Sequence, residues 1–168
     1  MATTFEALAT VTVGSGGAAN ITFSSIPGTY TDLALVISAR NTNNDGSDNM
    51  NIAINDSSAN FSGRFLFTNT NGTTSSGTDT TPSGAYNGGN TTASTFSNVS
   101  IYFTNYAGST NKSFSVDSVA ENNGTASNLY FDAKLWSQTA AITKIAFTCT
   151  SGNFAQYSTA TLYGIKNS

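Results

Sequence analysis

The sequence has no histidine and a single cysteine, Cys149, in 168 residues. The first absence removes Ser-His-Asp triads, Cys-His pairs and imidazole-ligated metals. The second removes internal disulfides and thiolate zinc sites. Charge is scarce too: Lys, Arg, Asp and Glu make up 9% of the chain, against about 25% in an average soluble protein. Six basic side chains face nine acidic ones, for a net charge of −3. That argues against nucleic acid as a partner, because phosphate contacts need clustered Lys and Arg. The longest apolar run, Leu33 to Ile37, falls far short of the roughly 18 residues of a membrane span. No membrane insertion is expected. The opening Met1 to Glu6 has neither a basic segment nor an apolar one, so no signal peptide is read and synthesis in a cytoplasm is expected.

What is present is polar but uncharged. Ser, Thr and Asn supply 70 residues, yet 38% of the chain is hydrophobic and 11% aromatic, which disordered segments are not. The dominant period is two. Leu33, Leu35 and Ile37 alternate with Ala34, Val36 and Ser38, Met50, Ile52 and Ile54 with Asn51 and Ala53, and Val99, Ile101 and Phe103 with Ser100, Tyr102 and Thr104. Phe114 and Val116, then Leu129, Phe131, Ala133 and Leu135, then Ile145 and Phe147 follow the same rule. Each stretch reads as a strand with one wet face. Turn chemistry separates them, as in Asn43-Asn-Asp-Gly46, Asn55-Asp56 and Asn122-Asn-Gly124. No segment carries a sustained helical repeat. The fold expected is all-β: a β-sandwich, specifically a jelly roll of 8–10 antiparallel strands, in one domain over 1–168. Leu33, Leu35, Ile37, Ile52, Ile54, Ile101, Phe103, Phe114, Val116, Leu129, Phe131, Leu135, Ile145, Phe147 and Leu162 form the expected core. Residues 69–92 do not alternate and hold Tyr86 as their only large apolar side chain. They read as a long polar loop that projects from one end, with Tyr86 as a contact anchor.

The chemistry-bearing residues are sparse. Asn41-Thr-Asn-Asn-Asp45-Gly46 echoes the start of a calcium loop, but Ile52 stands where a bidentate Glu is needed. The string reads as a turn. Asp45, Asp48, Asp56 and Asp79 fall in expected loops or at strand ends, and nothing makes two carboxyls converge as a glycosidase requires. Cys149 shares a strand face with Ile145 and Phe147 and reads as a packed thiol. No catalytic, cofactor-binding or metal-binding residue is assigned. Tyr102, Tyr130 and Trp136 occupy the more polar phase of their strands. They are candidate contact residues, for a neighbouring subunit or a sugar, and a second buried face is the equally weighted alternative.

Several stretches resemble structural proteins of tailed bacteriophages. They are Phe23-Ser-Ser-Ile-Pro-Gly-Thr-Tyr-Thr-Asp-Leu-Ala-Leu-Val36, the Asn55-Asp56 turn, Phe96-Ser-Asn-Val-Ser100 and Asn105-Tyr-Ala-Gly-Ser-Thr-Asn-Lys-Ser-Phe114. The clearest lie at the end: Leu135-Trp136, Ala141-Ile-Thr-Lys-Ile145, Ser151-Gly-Asn-Phe154 and Ser158-Thr-Ala-Thr-Leu-Tyr-Gly-Ile165. The resemblance runs in order along nearly the whole chain, apart from residues 69–92. It implies a virion protein without enzymatic activity or cofactor: a capsid decoration (cement) protein or short head fibre on the major capsid protein or other virion proteins. The alternative is a tail-fibre or tailspike tip that binds a host-surface glycan or protein. Low charge leaves little repulsion between copies, so a homo-oligomer is expected. The resemblance implies a trimer.

Overall fold

A computed structural model describes residues 4–81, 83–123 and 127–166. The two-residue period becomes twelve strands, and no helix occurs among the described residues. In chain order they are β1 (Phe5–Thr12), β2 (Asn20–Phe23), β3 (Asp32–Ala39), β4 (Ser47–Ile54), β5 (Phe61–Asn69) and β6 (Thr74–Asp79). There follow β7 (Ser83–Asn87), β8 (Ser97–Phe103), β9 (Lys112–Ala120), β10 (Asn128–Trp136), β11 (Ile145–Cys149) and β12 (Thr159–Ile165). Eight strands form one sheet in the order β1-β12-β3-β8-β9-β10-β5-β6, and four form a second in the order β2-β11-β4-β7. All strand pairs within the sheets are antiparallel. The sheets pack face to face as a β-sandwich, with one continuous core of Leu33, Leu35, Ile37, Ile52, Ile54, Val99, Ile101, Phe103 and Val116 against Ile21, Ile145 and Phe147.

The turns follow the side-chain chemistry. Asn55 and Asp56 have φ of 50° and 63°, the left-handed region that short Asx side chains tolerate. They close a tight turn in which Ile54 and Ser57 exchange both backbone hydrogen bonds. Asn55 also accepts from the backbone of Thr143 and Lys144 and donates to Ala141 O at 2.8 Å. One asparagine thus ties the crossover between the sheets to the approach to β11.

Residues 69–92 depart from the expected loop. They contain β6 and β7, which raise the strand number to twelve. β6 is a polar edge strand, Thr-Ser-Ser-Gly-Thr-Asp, and an edge has no apolar face to announce itself by alternation. β7 closes the small sheet and lies low over the large one. A side chain at Gly84 would come within 3.2 Å of Val99 Cγ1, so small residues are needed there. Tyr86 is fully buried and is no surface anchor. Its ring packs against Phe154 at 5.7 Å, and its hydroxyl accepts from Asn41 Nδ2 at 2.9 Å.

The second departure is the phase of β10. Residues paired across neighbouring strands share a face. Phe114 and Val116 of β9 point into the core and pair with Lys134 and Asp132 of β10. The pairing carries Tyr130, Asp132, Lys134 and Trp136 inward and turns Leu129, Phe131, Ala133 and Leu135 outward. Trp136 is 3% exposed and stacks on Phe61 at 6.4 Å. Phe131 is 53% exposed and Leu129 44%. These two, with Leu135, leave the expected core; the other twelve expected core residues are buried.

The two phenylalanines therefore separate under truncation. Phe147→Ala should cost about 3–5 kcal/mol in a urea titration, and Phe131→Ala less than about 1 kcal/mol.

Candidate functional site

The inversion of β10 builds an apolar strip on the outer face of the large sheet. Phe131 pairs with Leu66 of β5 on one side, and Leu129 pairs with Val119 of β9 on the other. Leu66 is 48% exposed and Val119 36%. Farther across the same face stand Tyr102 of β8, 37% exposed, and Val36 of β3. Beside Phe131, toward the end of β10, an open depression of about 600 Å³ is lined by Ser62, Arg64, Thr78, Ala133 and Leu135. Large exposed apolar patches on a folded domain mark contact surfaces.

The inner side of β10 is held by charge. Lys134 is buried; its Nζ donates to Asp79 Oδ1 and to Thr81 O, and it lies 3.3 Å from Asp132 Oδ2. Burial pushes the Asp132 carboxyl above its ordinary range, opposed by Lys134. Among the described residues, Asp132 Oδ1 and Trp136 Nε1 are buried without a hydrogen-bond partner. Tyr130 is half-buried on this inner side and packs with Phe67 at 4.5 Å and Phe65 at 6.4 Å. Two cations of the chain act as clamps on loops. Arg40 Nη1 and Nη2 donate to Gly89 O, Thr91 O, Thr92 O and Thr95 O and to the hydroxyls of Thr91 and Thr95. Lys112 Nζ donates to the carbonyls of Gly108, Thr110 and Thr139, and burial lowers its pKa.

At one end of the sandwich the Asn- and Asp-rich turn is consumed by its own hydrogen bonds. Asn41 donates to Asp48 Oδ2 at 2.5 Å and to Ser151 O at 2.8 Å. Asn43 donates to Asp45 Oδ2 and to Ser151 Oγ, both at 2.6 Å. No group of three His, Cys, Asp or Glu side chains able to hold a metal occurs among the described residues. Cys149 is half-buried, and burial raises its pKa above the ordinary thiol value.

Of the four contact residues expected from sequence, Tyr102 is the one on the outer face. Its hydroxyl donates to Asp32 Oδ2 at 2.8 Å, and that bond raises its pKa. Trp136 and Tyr130 face inward, as the buried-face alternative has it and not the contact reading, and Tyr86 is corrected from a contact anchor to a core residue. The four do not form one site. Sequence reasoning missed Leu66, Val119, Leu129 and Phe131 as surface groups, because apolar content alone assigns the odd phase of β10 to the core. The one available signal was the run of Tyr130, Asp132, Lys134 and Trp136 in a single phase, since amphipathic aromatics with a potential ion pair can also line an interior. No family model, curated protein or solved structure matches the chain.

Asp132 gives the protein a readable pH dependence. Its folded pKa is raised, so the native state holds this proton more tightly than the unfolded chain does. Stability is therefore lost as pH rises from the ordinary carboxylate value, about 3.9, through the raised one. Asp132→Asn removes that loss. Urea midpoints measured from acid to neutral pH should shift in the variant's favour as pH rises; a difference constant with pH would contradict the assignment.

Proposed function

We propose that this chain is a non-enzymatic structural protein of a tailed-phage virion, a capsid decoration (cement) protein or short head fibre that works by protein contact. The observation that carries the reading is the outer face of the large sheet. Leu66, Val119, Leu129 and Phe131 stand exposed together on a sheet face that is otherwise mainly Ser, Thr and Asn. A contact face of this kind, apolar at its centre and polar at its rim, matches the anatomy of protein interfaces. The sequence resemblance to phage structural proteins supplies the setting.

The strand order supports reading the sandwich as an enlarged jelly roll. One sheet is β2-β11-β4-β7. The other carries β3, β5 and β6 around the inserted meander β8-β9-β10, with β12 and β1 added at the edge. The chain passes from sheet to sheet at each step from β2 to β5, as double-sheet jelly rolls do.

Electron cryomicroscopy of the phage particle that carries this gene tests the reading. Density for a twelve-stranded sandwich on the outer capsid surface is expected, and it should be lost from particles made with Phe131→Asp. Density at the tail tip would favour the receptor-binding alternative. Particles that never contain the protein would overturn both.

A further inference from the structure

Fifteen side chains of this protein carry formal charge, and the structure accounts for nearly all of them. Arg40 and Lys112 clamp loops, Lys134 sits between Asp79 and Asp132, and Lys144 pairs with Asp56 at 2.6 Å. Lys166 lies over the Tyr30 ring at 5.0 Å, and the Glu6 carboxylate faces Tyr30 closely enough to raise its pKa. Asp32 accepts from Tyr102 and Asn105; Asp45 and Asp48 accept from Asn43 and Asn41. Glu121 accepts from the backbone of Asn122 and Asn123. Among the charged side chains of the described residues, Arg64 and Asp117 alone have no hydrogen bond, ion pair, ring contact or other electrostatic partner. Both are exposed, and both lie on the outer face, flanking the apolar strip.

Their positions are related. Arg64 is on β5 and pairs with Ala133; Asp117 is on β9 and pairs with Phe131. They stand on opposite sides of β10, offset by two residues along it. At ~4.8 Å per strand and ~3.4 Å per residue they are about 12 Å apart, too far to pair within one chain. A two-fold axis lying in the plane of the face and crossing β10 between Phe131 and Ala133 exchanges the two positions. We infer that the outer face of β9-β10-β5 docks a second copy of this chain as an isologous dimer, with Arg64 of each copy against Asp117 of the other.

The same operation matches the remaining features of the face. Drawn on the strand grid, it brings Phe131 of one copy onto Leu66 of the other. It carries Tyr102 to the depression beside the partner's Ala133 and Leu135. The strands then cross steeply, toward the orthogonal class of sheet packing. Five strands, β8 to β6, over seven residues mark out about 600 Å² in projection, before side-chain relief. Specific interfaces start at about 600 Å² from each partner, so the face reaches the lower end of that range. A two-fold contact must be complementary to itself, and one free cation and one free anion set symmetrically about an apolar centre satisfy that requirement. The geometry thus points to a pair of copies rather than the trimer implied by the resemblance. The inference rests on the reading of this face as a protein contact, and it names the partner.

Sedimentation equilibrium of the purified chain tests it. The wild type should sediment at twice the 17.4 kDa chain mass at concentrations up to about 100 μM. Arg64→Asp and Asp117→Arg should each weaken the dimer by about tenfold or more, because each sets like charges face to face. The double reversal should restore the affinity to within about threefold of wild type, since the opposite charges then meet again. Circular dichroism melts of all four proteins control for folding; both sites are exposed, so melting of the monomer should be unchanged. A wild type that stays monomeric, a trimer, or a dimer indifferent to charge reversal would each overturn the inference. The virion reading fails separately: a charge-sensitive dimer absent from particles keeps this inference and discards that reading, whereas a monomer found on capsids does the reverse.

Discussion

The register between β9 and β10 is the constraint on which the rest of the molecule depends. Side chains along a strand alternate faces, so a slip of one residue exchanges every inward group for an outward one. Here the register sets Phe114 and Val116 opposite Lys134 and Asp132. The core residues of β9 thereby hold two charges of β10 inside. An isolated buried charge is costly, and Lys134 is held between two carboxylates, Asp132 on its own strand and Asp79 on the edge strand β6. The edge strand that carries no apolar signal thus supplies a second carboxylate to the buried cation of β10.

The consequence appears on the opposite face. Once Asp132, Lys134 and Trp136 are fixed inward, Leu129 and Phe131 have nowhere to go but the surface. The protein exposes an apolar strip without any irregularity of backbone, simply by choosing the less apolar phase of one strand for the interior. Interior charge and exterior hydrophobicity are two sides of one register. Away from this strip the protein spends its few charges on fixing loops. Arg40 organises Gly89 to Thr95, and Lys112 organises Gly108 to Thr110. The loops at the ends are ordered by hydrogen bonds to single cations rather than by packing.

The sandwich was legible in the sequence because most strands have one apolar and one polar phase. In Leu33, Leu35 and Ile37, or Val99, Ile101 and Phe103, the larger apolar side chains fall in one phase and outweigh Ala34 and Val36, or Ser100 and Tyr102, in the other. β6 and β7 were not legible: one is an uncovered polar edge, and the other needs Gly84 and Ala85 to fit closely over the large sheet. Tyr86, read as the contact anchor of a long polar loop, is instead a core residue of that close-fitting strand. β10 was misread because its two phases are both amphipathic, and only the neighbouring strand decides between them. The outer face followed β10 out of view. Arg64 and Asp117 carry no local signal; their significance emerges only when every other charge has found a partner.

The phase of β10 can be measured directly by thiol accessibility. In a Cys149→Ala background, Phe131→Cys and Asp132→Cys variants would be treated with a water-soluble maleimide under native conditions, at a concentration where the wild type is monomeric or dimer-free by dilution. The account predicts that the Phe131→Cys thiol reacts at nearly the rate of the unfolded chain, while the Asp132→Cys thiol is protected until the protein unfolds. Protection at 131 with rapid labelling at 132 would contradict it, and would return the apolar phase of β10 to the core.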